Sequence, residues 1–307
     1  MDKSQPLVSV IIPNYNHAAF LEERLQSVLN QTYHNFELII LDDASTDNSL
    51  EIINQYSNDS HVSHVILNKD NSGSPFKQWD RGMSLAKGEI VWIAESDDSC
   101  EATFLEEMVP IYLKGDSSFG FCRSKEYSAE GKFSDPKLQD CLKDDMYLDG
   151  NSFIREFLSG YNIVLNTSSC IFNLRKAQLI SKQYQHYRGA GDWMFWLEMA
   201  EDGKVFYINK ALNFYRQHGS NTTKRMINDG SEFLENKEIF DYLESKHLFS
   251  HFTKNLFILS NYMSVISLRG NDETKDRLFK CWEWNSLTGI EVFLRRVLYN
   301  LLKLSRK

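Results

Sequence analysis

Three features of the sequence predict an α/β fold with a mixed, mainly parallel sheet flanked by helices. Short β-branched runs alternate with segments of helical periodicity. The first of these runs, Leu7 to Ile12, is nearly continuous in apolar character, as expected of a strand covered on both faces. The first, second and fourth runs end in polar or acidic clusters: Asn14-Tyr15-Asn16, Asp42-Asp43 and Glu95-Ser96-Asp97-Asp98. Strand–helix alternation calls for right-handed crossovers. Ligands of such sheets bind beyond the carboxyl ends of the strands, so the clusters are expected to converge on one crevice.

The elements follow in order. Leu7 to Ile12 reads as the first strand, stopped by Pro13. Ala18 to Asn30 carries Phe20, Leu21, Leu25, Val28 and Leu29 at helical spacing. Phe36 to Leu41 is the second strand. Ser45-Thr46-Asp47 offers capping oxygens for a helix through Tyr56. Val62 to Leu67 is a third strand, Gln78 to Ala86 a helix with Gly88 as its stop, and Glu89 to Ala94 the fourth strand. A helix over Thr103 to Leu113 precedes a strand at Phe119 to Arg123. Lys125 to Asp149 is polar and is expected to be a long loop or mobile flap. Asn151 is a candidate cap for a helix through Leu158. Ser169 to Phe172 reads as a strand, and Arg175 to Gln185 and Trp193 to Glu201 as helices. Val205 to Ile208 and Leu212 to Arg216 read as two short strands. From about Gly230 the strand signal ends and the pattern is helical.

Composition narrows the function. The 307 residues are 42% hydrophobic and 13% aromatic, enough for a sizeable core. A net charge of −8 argues against a nucleic-acid partner bound by phosphate neutralisation. Five widely spaced cysteines without a CxxC suggest free thiols in a reducing compartment. Neither a signal-peptide core nor a long apolar span is seen, so a cytoplasmic location is expected. No GxGxxG follows the first strand and no GxxxxGK[ST] occurs, which disfavours dinucleotide and P-loop folds.

Two adjacent carboxylates at the end of a buried strand repel each other and lose hydration, so they call for a proton or a cation. A divalent metal carrying a diphosphate satisfies them, and Mg²⁺ or Mn²⁺ needs only one or two protein carboxylates. A solvated acidic turn is the plain alternative.

Taken together and in order, several motifs resemble the family 2 glycosyltransferases. They are Val10-Ile11-Ile12-Pro13-Asn14-Tyr15-Asn16, Ser27-Val28-Leu29-Asn30-Gln31-Thr32-Tyr33, and Glu37 through Asp47 with its Asp42-Asp43-Ala44-Ser45-Thr46-Asp47 end. Lys87-Gly88-Glu89-Ile90 leads to Glu95-Ser96-Asp97-Asp98, and Gly191-Asp192-Trp193 and Tyr215-Arg216-Gln217-His218 follow. The resemblance spans about residues 7–220. It implies a GT-A domain over residues 1–228, with a nucleotide-binding parallel half and an acceptor-binding mixed half, followed by a helical extension over 229–307.

The resemblance also implies an inverting transfer from a nucleotide sugar, with UDP as the expected nucleotide, to a hydroxyl of a glycan or lipid-linked acceptor. Asp42 would accept a hydrogen bond from the base, flanked by Pro13, Asn14 and Tyr15. Asp97 would approach the ribose or metal, Asp98 would bind the metal, and His218 would lie near the diphosphate or metal. Asp192 would be the general base. A carboxylate at a helix start tends to stay ionised, which suits that role. Trp193, Trp196 and Tyr161 would line a sugar subsite by stacking, with core packing as the alternative.

A sugar-nucleotide nucleotidyltransferase would want a Gly-rich basic loop after the first strand, and none is present. A non-catalytic binding scaffold is the rival from another class. The stretch 289–307 is both apolar and basic. It is expected either to lie on the inner face of an anionic membrane or to dock on the body.

Overall fold

The structure is a computed structural model that describes residues 5–128, 131–218, 226, 227, 229–268 and 272–282. The expected helix over 289–307 lies outside them. The sheet runs in the order β3-β2-β1-β4-β9-β6-β10-β5. Its strands are β1 (Val8–Asn14), β2 (Phe36–Asp42), β3 (Val62–Leu67), β4 (Ile90–Ile93), β5 (Ser99–Cys100), β6 (Phe119–Ser128), β9 (Cys170–Asn173) and β10 (Lys204–Gln217). β7 (Phe133–Ser134) pairs with β6, and β8 (Met146–Asp149) with β10. From β3 to β10 only β9 runs against the others, antiparallel to both β4 and β6. The carboxyl ends of β1, β2, β4 and β10 therefore open on one edge.

The strands split their side chains between two cores with a period of two. Val8, Val10, Ile12, Leu38, Ile40, Ile90 and Trp92 pack on one face, against α1 (Ala18–Leu29), α2 (Ser49–Tyr56) and α4 (Phe104–Gly115). Ile11, Ile39, Leu41, Val91 and Ile93 face the other, beneath α3 (Pro75–Leu85) and α7 (Gly191–Ala200). That second core also takes in Ile239, Leu243, Leu248, Phe257 and Trp282. These belong to or flank α8 (Ser231–Ser245), α9 (His251–Ile266) and α10 (Asp272–Cys281), so the C-terminal helices close over the same face as α7.

Four local expectations change. The stretch Lys125 to Asp149 is not one long loop: it holds the end of β6, then β7, a 3-10 turn at Lys137–Gln139, and β8. The two short strands after Gly203 are one strand, β10, with register shifts between Ile208 and Asn213. The helix after β9 divides into α6 (Leu174–Leu179) and a 3-10 turn at Gln183–His186. Asp149, not Asn151, caps α5 (Gly150–Phe153), by accepting the Ser152 N–H. The next turn, Ile154–Leu158, is a π-helix.

Candidate active site

The nucleotide-side residues meet at the ends of β1 and β2, where the register sets Pro13 opposite Leu41 and Asn14 opposite Asp42. Asn14 Nδ2 donates to Asp42 Oδ1 at 2.8 Å. Ala44 takes a left-handed φ of 61°, which folds Ser45 back so that its N–H and hydroxyl donate to Asp42 at 2.9 and 2.6 Å. A carboxylate has about four acceptor sites, so Asp42 retains capacity for another donor. Pro13 and Asn14 are buried, whereas Tyr15 is 46% exposed beside them. Asp43 serves the scaffold: its carboxylate accepts from Asn68, from the Ser72 N–H and hydroxyl, and from Gln78, tying down the loop that leads into α3.

After β4 the chain delivers four polar residues with different fates. Asp97 is partly exposed, and its Oδ2 lies 2.8 Å from His218 Nε2 at the end of β10. His17, just before α1, completes a group whose ligand atoms all lie within 4.8 Å of one another. Among the described residues it is the one His/Cys/Asp/Glu group close enough to share a cation. Burial alone would raise Asp97. The His218 hydrogen bond and the charges of His17 and His218 outweigh it and hold the carboxyl below its usual range. Burial lowers His17 from its ordinary value against the pull of Asp97, the direction that favours the neutral imidazole a metal binds. Its Nδ1 lies 2.8 Å from the Ser96 hydroxyl, fixing the ring. Two imidazoles and a carboxylate fit a divalent cation that keeps positions open for phosphate and water.

Asp98, the expected metal ligand, is enclosed by protein partners. Asp98 is 2% exposed and accepts from Asn166 Nδ2 at 2.5 Å, the Ser168 hydroxyl at 2.7 Å and the Arg216 N–H at 3.0 Å. The fully buried Arg24 brings a guanidinium nitrogen to 3.9 Å. Burial and then the neighbouring Asp97 push its carboxyl upward. Asp98 is the knot joining the acidic turn to β10 and to the segment before β9. Arg216 tightens it by donating to the Asp97 carbonyl and to Glu23, while stacking over Tyr127 and Phe20. Glu95 turns away, accepting the Trp79 indole N–H at 2.8 Å. Burial followed by Asp97 raises it to about 8.

Asp192 opens α7. Phe76 and the Tyr184 carbonyl pack so closely at Gly191 that a Cβ there would approach both to 2.5 Å, so a glycine must precede it. Asp192 Oδ2 accepts from Asn162 Nδ2 at 3.0 Å, and Oδ1 from the Trp193 N–H at 2.7 Å. The expected effect of the helix start does not prevail: burial raises Asp192 to about 7 even against the Trp193 N–H, and the charge of Glu235 adds to the rise. Asp192 lines a cavity of about 430 Å³ with Tyr161, Trp193, Glu232, Asn236 and Phe257. Trp193 keeps its ring there by donating its indole N–H to the Leu158 carbonyl. Trp196 does not reach it. It is wholly buried, its ring 4.8 Å from Phe119 and 5.9 Å from Phe172, so its subsite role is corrected to core packing.

Tyr215, on β10, links the two regions. Burial raises its phenol to about 12, and Asp98, Asp97 and Asp192 all add to the rise, so it lies within electrostatic reach of both carboxylate groups. His17, Arg24, Tyr215 and Glu235 are the residues that the sequence reading did not assign. His17 had a local signal, its position directly after a strand-end polar cluster.

Comparison with known proteins agrees with this geometry. The chain is 27% identical over 263 residues to the protein named as teichuronic acid biosynthesis glycosyltransferase TuaG of Bacillus subtilis, across 85% of this chain and 96% of that one. It superposes on the mannosyltransferase PcManGT of Pyrobaculum calidifontis, solved with GDP-Man and Mn²⁺, with a TM-score of 0.61 at 15% identity, covering 98% of this chain and 85% of the other. For S. aureus TarS 1–349 with UDP the TM-score is 0.55 at 17% identity, over 88% and 69%. These two likenesses establish the shared fold. The family model described as Glycosyl transferase family 2 matches residues 9–178. With more than half of its residues so matched, the chain belongs to glycosyl transferase family 2 and is a glycosyltransferase.

Proposed function

We propose that this protein is a metal-dependent, inverting transferase that moves a sugar from a UDP-linked donor to a hydroxyl of a glycan or lipid-linked acceptor in cell-surface polysaccharide synthesis. The observation that carries the reading is the pairing of a His17–Asp97–His218 cation set with a second buried carboxylate, Asp192, both within electrostatic reach of Tyr215. TuaG's name supports the polysaccharide class, and the UDP of the TarS structure supports the donor.

His17, Asp97 and His218 would hold the cation, and their imidazoles favour Mn²⁺ over Mg²⁺, which takes oxygen ligands almost exclusively. Bound there, the metal supplies charge to offset the departing diphosphate. Asn14, Tyr15 and Asp42 bind the base and ribose at the ends of β1 and β2. Asp192 takes the proton of the acceptor hydroxyl as that hydroxyl attacks the sugar carbon opposite the leaving group. A base near 7 is well matched to this task at neutral pH. Tyr161 and Trp193 offer apolar faces for the acceptor sugar in the Asp192 cavity. The apolar, basic stretch 289–307 is proposed to touch an anionic membrane surface, where a lipid-linked acceptor would be found.

UDP release from a panel of nucleotide sugars, with and without Mn²⁺ and with glycan or lipid-linked acceptors, tests the reading. Mn²⁺-dependent release from a UDP sugar is expected. Turnover untouched by chelation, or confined to donors carrying another nucleotide, would contradict it.

A further inference from the structure

The turn that presents Asp192, itself beyond the family-matched residues 9–178, is held by a residue of the C-terminal helices. One carboxylate, Glu235 on α8, accepts three consecutive backbone N–H groups: Arg188 at 2.7 Å, Gly189 at 3.0 Å and Ala190 at 2.8 Å. These are the residues immediately before Gly191 and Asp192, and two of the donors stand at or next to the start of α7, where backbone N–H groups lack intrahelical partners. Gly189 and Ala190 also line the Asp192 cavity. Such a clamp fixes both the position of the turn and the direction in which α7 starts. Hydrogen bonds to a charged acceptor are roughly twice as strong as neutral ones, so three on one carboxylate make a stiff attachment.

We propose that Glu235 is a positioning residue for glycosyl transfer: by binding the Arg188, Gly189 and Ala190 N–H groups it holds the turn that delivers Asp192 to the acceptor cavity, making the C-terminal helices part of the active site. This rests on the reading of Asp192 as the base. A misplacement of about 1 Å can cost on the order of 100-fold in rate, so a loose turn is expected to act on kcat with little effect on donor binding. The titratable groups facing Asp192 or sharing its cavity are Glu235 and Glu232 on α8, Tyr215 on β10, Cys170 on β9, and Tyr161. Burial holds Tyr215 and Cys170 protonated through the neutral range, and it is Glu235 whose coulombic effect raises Asp192.

The test uses the full chain and the nucleotide sugar and acceptor that give the fastest UDP release. Glu235→Ala is expected to lower kcat on the order of 10- to 100-fold, with UDP affinity unchanged. Hydrogen exchange should rise at the amides of residues 188–190. Glu235→Gln keeps an acceptor oxygen but no charge, so its acidic limb of kcat should move to lower pH. In an Asp192→Asn background, Glu235→Ala should cost nothing further. Wild-type kcat and pH limb in both Glu235 variants, with Asp192→Asn inactive, would overturn the clamp and spare the base. Full turnover by Asp192→Asn would overturn the base itself. Loss of UDP binding together with kcat in Glu235→Gln would mark Glu235 as merely structural and overturn the proposal.

Discussion

The turn after β4 sets one carboxylate, Asp97, against the imidazoles of His17 and His218, whereas the turn that opens α7 sets Asp192 beside another carboxylate, Glu235. In the first, hydrogen bonds and opposite charge hold Asp97 below its ordinary range despite burial. In the second, burial and a like charge raise Asp192 to about 7. A carboxylate kept negative attracts a cation and the diphosphate it carries. A carboxylate poised near neutrality can accept a proton and give it up again. The division of labour between donor and acceptor sides is therefore written in what surrounds each aspartate.

The sharpest way to break the comparison is at Asp192. The variant Asp192→Asn keeps the shape and removes the proton acceptor. UDP release is expected to fall roughly 100- to 10,000-fold, the usual worth of a general base, while UDP binding stays. Turnover near wild type would end the distinction between the two turns.

The neighbouring aspartates give the next largest effect. Asp98→Ala leaves the buried Arg24 without its carboxylate, and equilibrium unfolding in denaturant should show a loss of roughly 3 kcal/mol or more. Asp97→Ala should cost far less stability, because Asp97 lies at the edge of the crevice. Equal losses would mean that the two carboxylates are not divided into knot and ligand.

The pH profile sharpens the same contrast. Asp192 must be ionised to act, and its pKa is raised, so activity is full above about 7 and falls as pH drops through that value. A limb in the ordinary carboxylate range would show that burial does not govern this group. The smallest effect belongs to the cavity wall: Trp193→Phe loses the hydrogen bond to Leu158 and should raise acceptor KM a few-fold, about 1 kcal/mol, with UDP affinity unchanged. A change in UDP affinity instead would shift Trp193 to the donor side.

The donor side was largely legible in the sequence, and the acceptor side was not. Strands β1, β2 and β4 announce themselves through largely apolar runs, and a parallel sheet sends their ends to one edge, so Asn14, Asp42 and Asp97 were found together. The sequence could not say which of Asp97 and Asp98 turns outward, because the groups enclosing Asp98 come from α1, the segment before β9, and β10. Arg24 carried a hint, since a charge among Leu21, Leu25 and Val28 on the buried stripe of α1 implies a buried partner. β7 and β8 are edge strands of two and four residues without an apolar run, so the polar stretch around them read as a loop. Trp196 misled because an aromatic helix gives no sign of which face meets a cavity. Glu235 sits more than 40 residues from its partners with no local signal at all.

The most direct test of the account is calorimetric titration of UDP into the wild-type and Asp97→Ala proteins, each with and without Mn²⁺. Mn²⁺ is expected to strengthen UDP binding to the wild type and to lose that effect in the variant. An undiminished Mn²⁺ effect in Asp97→Ala would contradict the placement of the cation between His17, Asp97 and His218.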